Sequence, residues 1–105
     1  MATMNQSDNI LTAIFRAVDW INSELPPDRQ LGKTAETRLV GSQSVLDSLQ
    51  LVSLIIGIER EVEATFGVAL TLADERALSM RESPFRSIGS LADYISILLT
   101  ETHHD

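Results

Sequence analysis

The sequence predicts an all-α protein: a small bundle of three main helices plus one short helix, with a long first loop. Three observations lead there. Apolar residues recur at intervals of three and four in three separate segments, the spacing of a buried helical stripe. No segment reads as a strand. The three prolines, Pro26, Pro27 and Pro84, all fall between the periodic segments. A chain of 105 residues is one domain's worth and can bury a single modest core.

The first helix is expected from Ser7 or Asp8 to about Leu25, with Ile10, Leu11, Ile14, Phe15, Val18 and Ile21 on one stripe. Ser7 or Asp8 can cap its start. Pro26–Pro27 ends it, since proline offers no N–H and clashes with the preceding turn. Trp20 lies beside the stripe and reads as a semi-buried packing residue. Residues 26–46 form a long connection carrying Pro26, Pro27, Gly32 and Gly41. About twenty residues without clear structure are unusual in a compact domain and often have a job. Leu31, Leu39 and Val40 are expected to pin the connection to the core.

The second helix should run from Asp47 or Ser48 to about Thr65, with Gly67 as its stop. At 100° per residue, Leu51, Leu54, Ile55, Ile58, Val62 and Phe66 share one broad arc. Leu49, Val52 and Ile56 widen that arc at its N-terminal end, beyond what a single buried stripe needs. Gln50, Ser53, Gly57, Arg60, Glu61 and Ala64 occupy the other face. A short helix is expected around Leu72–Met80, where Thr71 and Asp74 have the spacing of a capping box. The last helix follows Pro84, over about Ile88–Thr100, with Ile88, Leu91, Tyr94, Ile95, Leu98 and Leu99 at helical intervals and Ser87 or Ser90 as cap. The tail should fray.

Eight basic against fifteen acidic residues give a net charge of −7. A phosphate backbone is repelled by such a field, so nucleic acid is an unsuitable partner. Acidity either suits the chain to basic patches on other proteins or only keeps it soluble. No apolar run approaches the ~18 residues needed to span a bilayer, and the polar N-terminal stretch has no signal-peptide pattern. With no cysteine there is no disulfide and no thiolate metal site. A cytoplasmic, monomeric protein is the expectation.

The inventory is poor in catalytic chemistry. His103 and His104, the two histidines, stand at the chain end, where no general base is placed to work. Glu59, Glu61 and Glu63 spread around the second helix and read as a solvated face. No glycine-rich phosphate loop and no metal-ligand spacing occurs. Ser48 is what remains. Asp47 can cap the second helix, which puts Ser48 in the first turn, near unpaired N–H groups and the positive end of the helix dipole. That environment favours a phosphate ester. Nothing nearby would deprotonate the hydroxyl, so the serine is a poor nucleophile by itself and a fair acceptor for another enzyme. A Ser/Asp capping pair with no further role fits the local chemistry as well.

Asp47-Ser48-Leu49, opening an apolar helix after a long first loop, resembles the attachment motif of acyl carrier proteins and related peptidyl carrier domains. Glu59-Arg60-Glu61 through Phe66-Gly67-Val68-Ala69-Leu70 is similar to that family's charged helix end and its exit. Ser87-Ile88-Gly89-Ser90-Leu91-Ala92-Asp93-Tyr94-Ile95 looks like the start of its last helix. The resemblance covers about residues 8–100, read as a carrier domain of acyl-carrier-protein-like fold between a flexible N-terminus, 1–7, and a flexible tail, 101–105. It implies a carrier, not an enzyme. A phosphopantetheinyl transferase would attach 4′-phosphopantetheine from coenzyme A to Ser48, flanked by Asp47 and Leu49. An acyl- or aminoacyl-loading ligase and a downstream acyltransferase or synthase would be the other partners. Gln50, Val52, Ser53, Ile56 and Arg60 would be the recognition surface.

Three departures from the family pattern are specific. Val45 replaces the glycine usual two residues before Asp-Ser, and Val45-Leu46-Asp47-Ser48 resembles the D-alanyl carrier proteins instead. Gln50 and Ser53 stand where fatty-acid carriers are normally acidic. Ser48 and Ile88 are 40 residues apart (88 − 48), longer than the family norm. The extra length, with Arg76, Arg81 and Arg86, makes Arg81 to Phe85 a candidate partner or cargo element, or else a tolerated surface elaboration. Three functions are left open: an acyl carrier in a specialised lipid or secondary-metabolite pathway, an aminoacyl, D-alanyl or peptidyl carrier, and an unmodified helical interaction module.

Overall fold

A computed structural model describes residues 6–40, 46–72 and 84–102. Three α-helices carry the fold: α1 (Gln6–Asn22), α2 (Ser48–Phe66) and α3 (Ile88–Thr102). No strand occurs among the described residues, so the all-α expectation holds at that level. The short helix expected around Leu72–Met80 lies outside the described residues but for Leu72. Val45, Arg76, Arg81 and the histidine tail lie outside them as well.

α1 is the helix that both others pack against. Its stripe of Ile10, Ile14, Val18 and Ile21 is buried, as periodicity requires, and Ala13 and Ala17 supply the small positions between. α2 contributes Leu54, Ile55, Ile58 and Val62, while α3 contributes Ile88, Leu91, Tyr94, Ile95 and Leu99. Leu51, Phe66 and Leu98 pack at the margin of this core, half-buried. α1 begins at Gln6, ahead of both residues proposed to cap it. It ends at Asn22, and turns at Ser23 to Leu25 carry the chain to the prolines.

As far as Val40, the connection is more ordered than its composition suggests. Pro27–Arg29 forms a 3₁₀ turn. The Asn22 side chain then clamps the chain: its amide donates to the Leu31 carbonyl at 3.0 Å and its oxygen accepts from the Leu31 N–H at 2.8 Å. Leu31 and Leu39 are buried and Val40 packs against the core, as expected. Lys33 pairs with Asp19 at 3.0 Å, a solvent-exposed contact worth little in stability.

The same connection holds the start of α3. Leu39 N–H donates to the Arg86 carbonyl, Ile88 N–H to Thr37, and Gly89 N–H to Ala35 at 2.8 Å. Ser87 and Ser90 both serve at this helix start. Ser87 Oγ accepts from the Ser90 N–H, and Ser90 Oγ accepts from the Ser87 N–H. At Gly89 an added Cβ would sit 3.0 Å from the Ala35 carbonyl oxygen and 3.3 Å from its Cβ. A side chain there would have to push the Ala35 backbone aside by a few tenths of an ångström.

Two expectations change. Glu59 is not part of a solvated face: its carboxylate accepts from the Leu72 N–H at 2.7 Å in a half-buried setting, because the chain beyond Gly67 folds back along α2. Phe85, expected as a partner or cargo element, is buried in the core beside the start of α3, which removes it from a partner surface and leaves the cargo alternative as it stood. A large aromatic side chain gains most by covering apolar surface inside the core.

Candidate functional site

The site is built at the start of α2. Asp47 is the N-cap, with extended backbone angles (φ −86°, ψ 178°). Its Oδ1 accepts from the Gln50 N–H at 2.7 Å, and Gln50 Oε1 accepts from the Asp47 N–H at 3.0 Å. This reciprocal capping box satisfies two donors that a helix start leaves without partners. The Leu51 N–H closes the first helical turn on the Asp47 carbonyl at 2.9 Å. Ser48 is therefore the first helical residue, held in place by its neighbours on either side. At the far end Gly67 adopts the left-handed conformation (φ 71°) and donates its N–H to Glu63, which stops the helix where the glycine predicts.

The box also explains Gln50. Its position raised the expectation of a recognition residue, but its side chain is engaged in capping. The first turn of α2 contains no acidic residue. The positive end of the helix dipole is thus opposed by one carboxylate, that of Asp47, which is itself committed to the Gln50 N–H.

Next to this capped start runs an exposed apolar row. Leu49 is 75% exposed, Val52 52% and Ile56 44%, although all three are large hydrophobic side chains on a helix with a well-filled core. The predicted widening of the apolar arc is real, and the core does not use it. Scattered apolar residues on a surface are ordinary; three at helical spacing beside a capped helix start form a patch.

The row leads to a groove between α1 and α2 of about 150 Å³, lined by Ala17, Trp20, Ser53, Ile56, Gly57, Arg60 and Glu61. Of the expected recognition residues, Ser53, Ile56 and Arg60 come together here, while Val52 stays on the exposed row and Gln50 at the cap. Trp20 is 48% exposed, so it flanks the groove instead of filling the core. No motif in the sequence points to Ala17, Trp20, Gly57 and Glu61, which line the same groove. A signal existed: a tryptophan beside a helical stripe, and a glycine inside a helix that has no turn there.

Among the described residues, no cluster of three or more histidine, aspartate or glutamate side chains could hold a metal ion. No helix among them is long and apolar enough to cross a membrane. Comparison with protein-family models, curated proteins and solved structures gives no match for this chain.

Proposed function

We propose that the chain is an acyl carrier protein that holds an acyl group as a thioester on a 4′-phosphopantetheine arm attached to Ser48, serving a specialised lipid or secondary-metabolite pathway. The observation that carries this reading is the capped start of α2, Asp47-Ser48-Leu49, with the exposed apolar row of Leu49, Val52 and Ile56 beside it. In attachment, Ser48 Oγ attacks the phosphorus that bears the pantetheine group in coenzyme A. The pyrophosphate P–O bond breaks, 3′,5′-adenosine bisphosphate leaves, and the hydroxyl proton passes to a base on the transferase. This chain supplies the acceptor, and the transferase supplies base and Mg²⁺.

The residues fit the group on electrostatic grounds. A phosphodiester on the first helical residue carries one negative charge and meets the positive end of a 19-residue helix. No acidic residue in the first turn opposes it, and the Asp47 carboxylate is partly neutralised by its hydrogen bond. The arm's terminal thiol supplies the thioester chemistry, which a chain without cysteine cannot supply itself.

The test is intact-mass spectrometry after incubation with coenzyme A and a promiscuous phosphopantetheinyl transferase. Wild type is expected to gain the mass of one phosphopantetheine and Ser48→Ala none. No gain in wild type, or an equal gain in the variant, refutes the proposal. An adenylating ligase that loads an amino acid and ignores fatty acids would move the assignment to the aminoacyl or D-alanyl carriers. The exposed row of Leu49, Val52 and Ile56 also supports a second reading, an unmodified helical interaction module, which a failed mass gain would favour.

A further inference from the structure

Five large hydrophobic side chains are exposed among the described residues, and four of them lie together: Leu49, Val52 and Ile56 in the row on α2, and Trp20 at the groove beside it. At 100° per residue, Leu49 and Ile56 share one line along α2, about half a turn from the buried Ile58. The row therefore faces away from α1 and α3. Its two ends differ. Leu49, the most exposed of the four, stands at one. At the other, Ser53, Ile56, Gly57 and Arg60 line the groove at i, i+3, i+4 and i+7, the four corners of the hole into which a facing helix sets a side chain. Gly57 keeps that hole open. Neither its backbone nor its packing requires glycine: Gly67 is the described glycine with positive φ, and a Cβ at 57 would meet Trp20 and Ala17 at 3.5 and 3.6 Å.

A protruding leucine at one end and a hole at the other make a surface complementary to itself under two-fold rotation, as an isologous interface requires. We infer that a second copy of this chain docks on this face, with the two α2 helices antiparallel and the two-fold axis between Val52 and Ser53. Leu49 of each copy then stands level with Ile56 of the other, at the mouth of its groove, and Val52 lies beside the partner's Val52. This pairing does not depend on modification of Ser48.

Charge selects the antiparallel direction. Residues 49–56 include no charged side chain, and Arg60 is the one basic residue of α2. Antiparallel pairing sets the two Arg60 positions about 22 Å apart at 1.5 Å per residue, well beyond the ~8 Å Debye length at physiological salt. Parallel pairing would bring them side by side. Area sets the strength. Four large side chains, half to three-quarters exposed, amount to roughly 400 Å², within the ~300–600 Å² of the largest patch on a typical monomer. Two such patches with their polar rims reach about 1,000–1,200 Å² in total, the low end for a specific interface. The dimer is therefore reversible, with a Kd on the order of 10–100 μM.

Sedimentation equilibrium of the unmodified full chain in 0.15 M salt tests this. From about 1 μM to 1 mM, the mass is expected to rise from 11.6 kDa towards twice that value. Leu49→Asp, with its helical circular dichroism unchanged, should weaken association more than tenfold. The chain has no cysteine, so single cysteines report the geometry. Val52→Cys, next to the axis, should oxidise readily to a disulfide-linked dimer. Glu63→Cys should not, because antiparallel helices hold the two positions about 32 Å apart. Wild type that remains monomeric at 1 mM overturns the proposal. So does a Leu49→Asp variant that associates like wild type, or Glu63→Cys cross-linking as readily as Val52→Cys.

Discussion

Asp47 and Ser48 are adjacent, and removing each side chain should have opposite consequences for stability and function. The structure assigns the cap to Asp47, whose carboxylate holds the Gln50 N–H at 2.7 Å and whose own N–H is held by Gln50 at 3.0 Å. Replacing an N-cap aspartate by alanine costs about 0.5–2 kcal/mol. Both bonds of this box are solvent-exposed, which places the expected cost of Asp47→Ala near the middle, about 1 kcal/mol. For a domain of this size that is a fall in Tm of roughly 4–8 °C. Of this, about 0.3–1 kcal/mol is the carboxylate's attraction to the helix dipole. Asp47→Asn should recover the remainder, because its side-chain oxygen still accepts the hydrogen bond. In 1 M salt, where the Debye length is about 3 Å, wild type and Asp47→Asn should converge.

Ser48→Ala places a better helix former at the first helical position and leaves the box in place, so its stability should stay within about ±0.5 kcal/mol of wild type. Thermal and urea melts followed by circular dichroism give all three values. Mass spectrometry of the same samples should find modification in Asp47→Asn and none in Ser48→Ala. Two results would refute the reasoning: a Ser48→Ala loss equal to that of Asp47→Ala, or an Asp47→Ala variant as stable as wild type.

Gly57→Ala should stabilise the protein by up to about 1 kcal/mol, visible as a raised urea midpoint, because its Cβ meets Trp20 and Ala17 at ordinary distances. Gly89→Ala should do the reverse and cost about 1–3 kcal/mol, since its Cβ would press on the Ala35 carbonyl at 3.0 Å. Glu59→Ala should cost about 1–3 kcal/mol by leaving the part-buried Leu72 N–H unpaired, and Glu59→Gln should restore most of it. Ile58→Ala, at a fully buried position of α2, should cost about 2–5 kcal/mol in the same melts.

The helices were legible because period and punctuation agree. α1 shows Ile10, Ile14, Val18 and Ile21 buried at the expected spacing, and Gly67 stops α2 in the conformation that glycine favours. The capped start of α2 was legible for the same reason, since an aspartate before an apolar-periodic run has one strong use. What could not be read is long-range. Nothing local tells that Asn22 will clamp Leu31, that Ala35 will press on Gly89, or that Glu59 will turn inward to the Leu72 N–H. Each of those roles depends on where a distant backbone arrives. Phe85 shows the same limit: its sequence neighbours do not mark it as core, and its neighbourhood in space is the core.

The α1–α2 groove joins both kinds of information. Gly57 in a helix interior is a local anomaly visible in sequence, but its meaning requires the distance to Trp20, which the packing of α1 against α2 decides. A helix that only had to fill a core would place alanine or a larger residue at 57 and polar residues at 49, 52 and 56. α2 does neither. Its buried face is complete with Leu54, Ile55, Ile58 and Val62, and Leu49, Val52 and Ile56 stay outside it. The start of α2, where the arm is proposed to attach, lies at the same end of the helix as this exposed row.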